Sequence, residues 1–260
     1  MNARLLGLRL CLLLALLAAW EVLTRTGLAS PFFFGRPAQV WHILVGWVGS
    51  GSLWPHLLVT LLETLLAFVA GTALGIGSGL WLALSPRTAA VLDPFIKAVN
   101  AMPRVVLAPI FATWFGLGIA SKVALGITLV FFVVFFNVYQ GVRGVDPLLV
   151  ANARMLGANR AQLLRHVFWP SALAWVFSSL HVAVGMAFVG AVVGEYLGSA
   201  RGVGYLILQA EGSFDINGVL AGITVLTACA LLLDGLVTRA ERRLLGWQPR
   251  QQGPDTRRQV

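Results

Sequence analysis

The sequence predicts an all-α integral membrane protein with six transmembrane helices. Of its 260 residues, 58% are hydrophobic and only 11% are charged, and its mean hydropathy is +0.83. No soluble domain needs so much apolar surface. Several uncharged segments reach about twenty residues, which is enough to cross a bilayer. Arginine is concentrated in alternate connecting segments, the pattern that orients a protein with several spans.

The composition also excludes several classes of partner and cofactor. A net charge of +9 does not require nucleic acid, because arginine-rich cytoplasmic loops explain it in a membrane protein. Cys11 and Cys229 both lie in apolar segments, so we expect neither a disulfide framework nor a metal site. The four histidines are not spaced as ligand pairs. We therefore expect no metal and no nucleic acid.

Residues 1–55 are predicted to form an N-terminal transmembrane helix and a periplasmic interfacial segment. The helix covers residues 1–24, where two arginines precede a leucine-rich core. A cleaved signal peptide is the alternative, although residues 18–21 make a poor cleavage site. Residues 38–48 carry two tryptophans and can form a short helix at the membrane–water boundary.

Residues 56–240 are predicted to form a core of five further transmembrane helices. Two of them carry glycines at four-residue spacing, so that each set lies on one helix face. Small residues at this spacing let a neighbouring helix approach closely. These glycines are Gly71, Gly75 and Gly79 in the helix at 56–84, and Gly190, Gly194 and Gly198 in and after the helix at 171–195.

Few ionisable residues fall inside the predicted helices. Glu63 lies in the outer part of the second helix, where we expect water to reach it, and His181 is expected to be hydrogen-bonded within the bundle. Lys122 is assigned to an outside turn. Residues 93–104 are assigned to the cytoplasmic boundary, with Pro103 bending the chain before it crosses.

The stretch 146–170 is the longest amphipathic segment of the chain. Asp146 suits an N-cap and Pro147 the first helical position. Gly157 fits a left-handed position, and a second short helix is expected over 158–168, with Pro170 ending it or beginning the next segment. The stretch carries an apolar set and three arginines: Leu148, Leu149, Met155 and Leu156, with Arg154, Arg160 and Arg165.

This stretch resembles the cytoplasmic coupling motif of ABC importer permeases, Glu-Ala-Ala, three residues, Gly, nine residues, Ile-x-Leu-Pro. Ala153, Gly157 and Pro170 stand at matching positions, whereas Ala151 replaces the glutamate and Asn152 the middle alanine. The missing carboxylate puts any glutamate-mediated contact with an ATPase in doubt. A surface-lying linker between two membrane helices is the alternative interpretation.

A second segment narrows the resemblance to one branch of these importers. Glu195-Tyr196-Leu197-Gly198-Ser199, followed by residues 202–206, is similar to the outside loop of nitrate/sulfonate/taurine-type permeases. The resemblance covers residues 53–247 and implies the type I importer fold, with two short cytoplasmic coupling helices. It implies that the ATPase-coupling residues are Ala151, Ala153, Arg154, Leu156, Gly157 and Pro170. Candidates for the translocation path or gate are Met102, Asn137 and Glu195.

The resemblance further implies a permease subunit that is not itself an enzyme. The chain has no Gly-x4-Gly-Lys-Ser/Thr phosphate loop, so ATP and magnesium should bind to a separate ATPase subunit dimer. A periplasmic binding protein would deliver a small solute, such as a nitrate-, sulfonate- or taurine-like anion or a related organic compound. The other expected partners are membrane lipid and a second permease copy in a homodimer.

The charge pattern predicts a multi-pass protein of the cell inner membrane with both termini in the cytoplasm. With six helices, fifteen of the nineteen basic residues fall on the inner side. Arg25, Arg36, Lys122 and Arg201 remain outside. Residues 241–260 are predicted to be a poorly ordered cytoplasmic tail.

Two other functions were weighed against this one. A secondary transporter or channel usually needs ionisable groups or broken helices at mid-depth, and the acids here are assigned near helix ends. An intramembrane enzyme would need paired carboxylates, a His–Asp cluster or a Gly-x-Ser-x-Gly elbow, and the sequence offers none of these.

Overall fold

The computed structural model describes residues 3–244, and in this range the chain is helical without strands. Its helices are α1 (Ala3–Arg25), α2 (Pro31–Phe34), α3 (Pro37–Gly49), α4 (Leu53–Ala83), α5 (Pro86–Ala101), α6 (Ala108–Phe115), α7 (Ile119–Arg143), α8 (Pro147–Met155), α9 (Arg160–Leu163), α10 (Trp169–Leu197), α11 (Val203–Gly212) and α12 (Ile216–Leu244). Five helices in this range are long and apolar enough to cross a membrane, and α5 with α6 makes a sixth span bent by 82°. The prediction of six transmembrane helices is confirmed with this bent pair counted as one span.

Helices α4, α7 and α10 form the centre of the bundle, with α7 between the other two. The buried side chains that join them are small or β-branched: Ala67, Val130, Val134, Val138, Val142, Ala172, Val176, Ala183 and Ala187. Such residues fill the space between closely packed helices without requiring hydrogen-bond partners. These three helices therefore form the scaffold against which the other helices pack.

Glycines set the distance between these three helices, as the spacing predicted. A Cβ added at Gly75 would lie 2.8 Å from Cβ of Val134 and 2.9 Å from the Phe131 carbonyl oxygen. A Cβ at Gly190 would lie 2.7 Å from the backbone nitrogen of Gly126, so α7 and α10 are in direct backbone contact there. Any larger residue at these positions would push the helices apart.

A second layer consists of α3, α11 and α12. Leu53, Val184, Phe188, Val203, Val225 and Cys229 form its buried cluster. Helix α12 continues to Leu244, so the beginning of the predicted tail is helical. Residues 245–260 of that predicted tail lie outside the described residues.

Helix α1 stands at the edge of the bundle. Its most apolar window has no buried residue, and a run of leucines along it is exposed. Two bonds fix its outer end: the Trp20 indole nitrogen donates to the Phe34 carbonyl oxygen at 3.2 Å, and Glu21 accepts from the Ala38 amide at 3.0 Å. In a membrane such a surface contacts lipid or another chain.

His181 connects α10 to α12, as expected of a histidine hydrogen-bonded within the bundle. Its Nδ1 lies 2.6 Å from a carboxylate oxygen of Asp234, and its Nε2 lies 3.2 Å from a carboxylate oxygen of Glu241. Both ring nitrogens are therefore occupied by groups of one neighbouring helix.

The bend between α5 and α6 lies deeper in the bundle than the sequence suggested. Pro103 stands at the break, as predicted. However, α5 begins at Pro86 and its packing against α7 carries Arg104 to a position 4.5 Å above the ring of Phe132. Phe132 is at the middle of α7 (Ile119–Arg143, 25 residues). The Arg104 side chain therefore lies beside the middle of α7 and not beside its end.

Candidate functional site

The stretch 146–170 begins as the sequence predicts. The Asp146 carboxylate accepts a hydrogen bond from the Leu148 amide at 2.8 Å, and Pro147 occupies the first turn of α8. The cap satisfies an amide that has no partner within the helix, and proline has no amide hydrogen to lose there. Local chemistry thus determines where α8 starts.

Gly157 turns the chain between α8 and α9. Its φ is +86°, in the left-handed region that residues with a side chain avoid. The Ala158 amide then donates to the Ala153 carbonyl at 3.0 Å, which closes the end of α8. This part of the prediction is confirmed.

Sequence reasoning missed the cap of the second helix. The Asn159 side chain accepts from the Gln162 amide at 2.9 Å, and the Gln162 side chain accepts from the Asn159 amide at 2.8 Å. Asn-x-x-Gln is a variant of the capping-box pattern, so the signal was present in the sequence.

The second helix does not end as a separate element. From α9 the chain continues through a π-helical turn, Leu164–Phe168, directly into α10. Pro170 does not stop the helix: it occupies the first turn of α10, which follows the π turn without a break. Proline cannot donate to the carbonyl four residues earlier and its ring crowds that carbonyl, which explains why the preceding turn is widened. The stretch is therefore continuous with a membrane-spanning helix.

The apolar side chains of the stretch project away from the protein. The exposed fractions are 65% for Leu148, 52% for Leu149, 80% for Met155 and 89% for Leu156. By contrast, Leu163 and Val167 are buried on the side that faces the bundle. Exposed apolar groups beyond the end of a span are typical of an interaction surface.

The remaining residues of the predicted coupling set lie on both sides of this surface. Ala151, Arg154 and Gly157 are exposed, and Ala153 is half-buried. Ala153 and Leu156 line a cleft of 330 Å³ between α8 and the segment formed by α9 and the π turn. The set is brought together at one end of the molecule, with Pro170 at its bundle side.

At the opposite end of the bundle three ionisable side chains are fully buried. Glu63 of α4, Lys122 of α7 and Glu195 of α10 are each at most 1% exposed. The two carboxyl groups are neighbours, and the lysine is close enough to interact with both. We call Glu63, Lys122 and Glu195 the outer cluster.

Two sequence assignments in this region were wrong. Glu63 does not reach the surface, since it is 1% exposed, and one of its carboxylate oxygens has no hydrogen-bond partner among the described residues. Lys122 is not in a solvated turn: its ammonium group donates to the Leu117 carbonyl, and its aliphatic stem packs against Gly194. The Lys122 side chain fits between α7 and α10 because Gly194 has no side chain to fill that space. The spacing of the glycines in the sequence does not show which residue faces each of them.

Glu195 holds the start of α11. One of its carboxylate oxygens accepts from the Thr60 hydroxyl at 2.6 Å, and the other accepts from the Gly204 amide at 2.7 Å. The Val203 amide donates in turn to the Thr60 hydroxyl oxygen at 2.8 Å. A neighbouring imidazole, that of His56, accepts from the Gly202 amide at 3.1 Å. Side chains of α4 and α10 thus replace the missing backbone partners of α11.

Two glycines let the backbone reach this carboxylate. A Cβ added at Gly202 would lie 2.6 Å from Oε2 of Glu195, and one at Gly204 would lie 2.8 Å from the same atom. Residues 195–206, which carried the second resemblance, therefore form a turn whose backbone wraps around the Glu195 side chain. The predicted loop ends at Val203, where α11 begins.

The three candidates for the translocation path lie at different levels. Met102 caps α5 beside the bend and is 42% exposed. Asn137 donates to the Val133 carbonyl of its own helix at 2.8 Å, and Glu195 belongs to the outer cluster. Among the described residues no hydrogen bond joins any two of them, so they do not form one site.

A bent-span helical bundle with an exposed apolar stretch at one end is the architecture of an importer permease, a membrane subunit without an active site of its own. Residues 71–246 match the family model described as binding-protein-dependent transport system inner membrane component. The chain belongs to this family of multi-pass inner-membrane ABC importer permeases.

Curated relatives cover almost the whole chain. It is 33% identical to the putative aliphatic sulfonates transport permease protein SsuC of Bacillus subtilis (strain 168). The alignment covers 92% of this chain and 86% of that protein. It is 32% identical to the taurine transport system permease protein TauC of Escherichia coli (strain K12), over 90% of this chain and 87% of that protein. It is 34% identical to the riboflavin transport system permease protein RibX of Chloroflexus aurantiacus, over 94% of this chain and 90% of that protein.

Solved structures share the fold. A chain of the inward-facing MetNI methionine ABC transporter aligns with a TM-score of 0.65 and 16% identity, over 74% of this chain and 95% of that one. A chain of an amino acid ABC transporter solved with histidines aligns with a TM-score of 0.60 and 20% identity, over 77% and 98% of the two chains. The type I importer permease fold is therefore confirmed.

Proposed function

We propose that this permease forms the translocation path for a small sulfonate, such as taurine or an alkanesulfonate, delivered by a periplasmic binding protein. ATP and magnesium bind to a separate ATPase dimer, to which the stretch 146–170 docks. Two permease copies assemble in the membrane, surrounded by lipid. The sulfonate assignment rests on two relatives, which are named for the transport of aliphatic sulfonates and of taurine.

The observation that carries the coupling role is the exposure of an apolar set on a short helix outside the membrane spans. Leu156 is 89% exposed and Met155 is 80% exposed, although both are apolar. An apolar helix face of this size with arginines nearby suits a groove on a partner protein. The patch is far too short to span a bilayer, so it is not a transmembrane segment.

Both termini lie in the cytoplasm in this proposal, together with the stretch 146–170. Single cysteines at Met155 and Phe214 test the orientation in a background with both native cysteines replaced, since these side chains are 80% and 77% exposed at opposite ends of the bundle. In intact cells an impermeant thiol reagent should label the cysteine at Phe214 and leave that at Met155 unlabelled. The reverse pattern would contradict the topology.

The function is tested with the permease, its ATPase and its binding protein together in proteoliposomes. We expect uptake of taurine or an alkanesulfonate that requires both ATP and the binding protein. In the same vesicles Leu156→Asp should release the ATPase or separate hydrolysis from uptake, because a carboxylate would be forced into an apolar contact.

The matched control is Leu28→Asp, which changes an equally exposed leucine (80%) at the outer end of α1. It should leave uptake intact. Normal uptake in Leu156→Asp would remove the stretch 146–170 as the coupling element. Uptake of riboflavin or another uncharged solute in place of sulfonates would overturn the substrate assignment and leave the coupling role standing.

A further inference from the structure

We propose that Arg104 contacts the anionic group of the cargo within the translocation path. This inference rests on the proposed function and deepens it, because it names the residue of this chain that would recognise a sulfonate. It concerns the break between α5 and α6, which we call the elbow and which comprises residues 102–107.

The elbow places a permanent positive charge at mid-depth. The Arg104 guanidinium carbon lies 4.5 Å above the ring of Phe132, and Phe132 is at the middle of the 25-residue helix α7. The two pieces of the span, α5 and α6, meet there at an angle of 82°. Broken helices whose ends meet near the midplane are where transporters bind substrates and ions.

The environment of Arg104 leaves it able to take a ligand. Its Nη2 donates to the Asn100 carbonyl oxygen at 3.0 Å and also to the Asn100 side chain. Its Nε is buried and has no hydrogen-bond partner within residues 3–244. No carboxylate among the described side chains lies within ion-pair distance of it. An arginine in a span normally pairs with a carboxylate or a backbone carbonyl, or faces a water-filled cavity. The Asn100 carbonyl engages only Nη2 of Arg104.

Exposure decides between these alternatives. Arg104 is half-buried and Met102 is 42% exposed, so the elbow reaches the surface of the subunit. A charge facing hydrocarbon at this depth would be strongly unfavourable. The surface at the elbow is therefore best explained as a wall of an aqueous path. A guanidinium offers planar paired donors, which match the oxygens of a tetrahedral oxyanion such as a sulfonate.

Thiol labelling in proteoliposomes with the ATPase and binding protein present tests this inference. Single cysteines are introduced at Met102 and, as a mid-helix control, at Leu231 of α12, which is 69% exposed, with Cys11 and Cys229 replaced by alanine. Each is treated with a sulfonatoethyl methanethiosulfonate and with its trimethylammonium analogue, with and without ATP. These probes differ in charge, and the anionic one carries a sulfonate.

We expect the cysteine at Met102 to react at least about tenfold faster than that at Leu231. Arg104→Gln should lower the ratio of anionic to cationic labelling at Met102 by about tenfold, as expected for loss of one nearby charge in a hydrated site. Arg104→Lys should keep most of the preference. Phe132→Leu should also keep it, since it removes the stacking but not the charge.

A second measurement leaves Arg104 intact and so does not depend on how its variants fold. Methanesulfonate should slow labelling of the cysteine at Met102 more than an equal concentration of chloride does. Equal effects of the two anions, an unchanged charge preference in Arg104→Gln, or equal labelling of the two cysteines would overturn the role of Arg104. If sulfonate uptake persists in that case, only this inference fails; absence of uptake and of an attached ATPase would instead refute the proposed function.

Discussion

The two ends of the bundle use opposite chemistry to hold a short helix in place. At the inner end α8 is ordered by its own caps and turn, and its apolar side chains point outward. At the outer end α11 is ordered by side chains from α4 and α10, and the Thr60 and Glu195 side chains that hold it are buried. The inner helix is thus locally specified and available to a partner, whereas the outer one is specified by tertiary contacts and built into the core.

Removing the lysine of the outer cluster should have the largest effect on stability. Lys122→Ala removes a fully buried stem that packs against Gly194, together with the cation beside two buried carboxyl groups. Because this leaves a cavity, we expect the free energy of unfolding to fall by about 2–5 kcal/mol. Thermal unfolding of the permease in detergent measures it.

Lys97→Ala is the matched control for this substitution. Lys97 pairs with Asp93 at 2.7 Å on the surface, and its side chain is 69% exposed. Its loss should cost no more than about 1 kcal/mol. Equal losses for the two lysines would mean that burial of the outer cluster contributes nothing.

A smaller loss is expected when the carboxylate of Glu195 becomes an amide. Glu195→Gln keeps the shape, but its single oxygen cannot accept from both Thr60 and Gly204, so stability should fall by about 1–3 kcal/mol. Hydrogen exchange of the Val203 and Gly204 amides should become faster. Glu211→Gln, an exposed change on the same helix, should leave that exchange unaltered.

The turn at Gly157 comes next, and its effect should be confined to the inner end. Gly157→Val should cost about 1–2 kcal/mol of backbone strain, since no atom outside its immediate chain neighbours lies within 4 Å of an added Cβ. ATPase co-purification should weaken while the bundle remains folded. Gly157→Asn should be tolerated, because asparagine accepts left-handed geometry. Full ATPase retention in the valine variant would show that the turn geometry does not matter for docking.

The smallest effect is expected from restoring the family's acid. Ala151→Glu changes an exposed residue, so the free energy of unfolding should stay within about 0.5 kcal/mol and the ATPase should remain attached. Ala153→Glu is the contrasting variant: Ala153 lines the cleft beside Leu163 and Val167, and a carboxylate there would disturb the packing. Measurement of ATPase retention for both variants would show which side of α8 the partner contacts.

Features whose interacting residues are close together in the sequence could be predicted, whereas features that depend on contacts between distant residues could not. Asp146 and Gly157 were identified because their partners lie within a few residues, and the glycine rows because their spacing reports a helix face directly. Lys122 was misplaced because nothing near it in sequence shows that Gly194 opens a space for it. Pro103 located the bend, but the depth of Arg104 depends on its contact with Phe132, 28 positions further along the chain. The continuity of α9 with α10 was missed because proline was taken as a terminator, when a widened turn could accommodate it.

The π turn makes α9 and α10 a single rod with a docking surface beside one end and Glu195 near the other. This segment, Arg160–Leu197, has 38 residues, and at about 1.5 Å per residue it is roughly 57 Å long. Pivoted at its middle, such a lever converts a tilt of about 5° into opposite displacements of about 2.5 Å at its two tips. Under the proposed docking, a push on the stretch 146–170 is transmitted to the opposite end of the bundle with its direction reversed, where it acts on the carboxylate that holds α11.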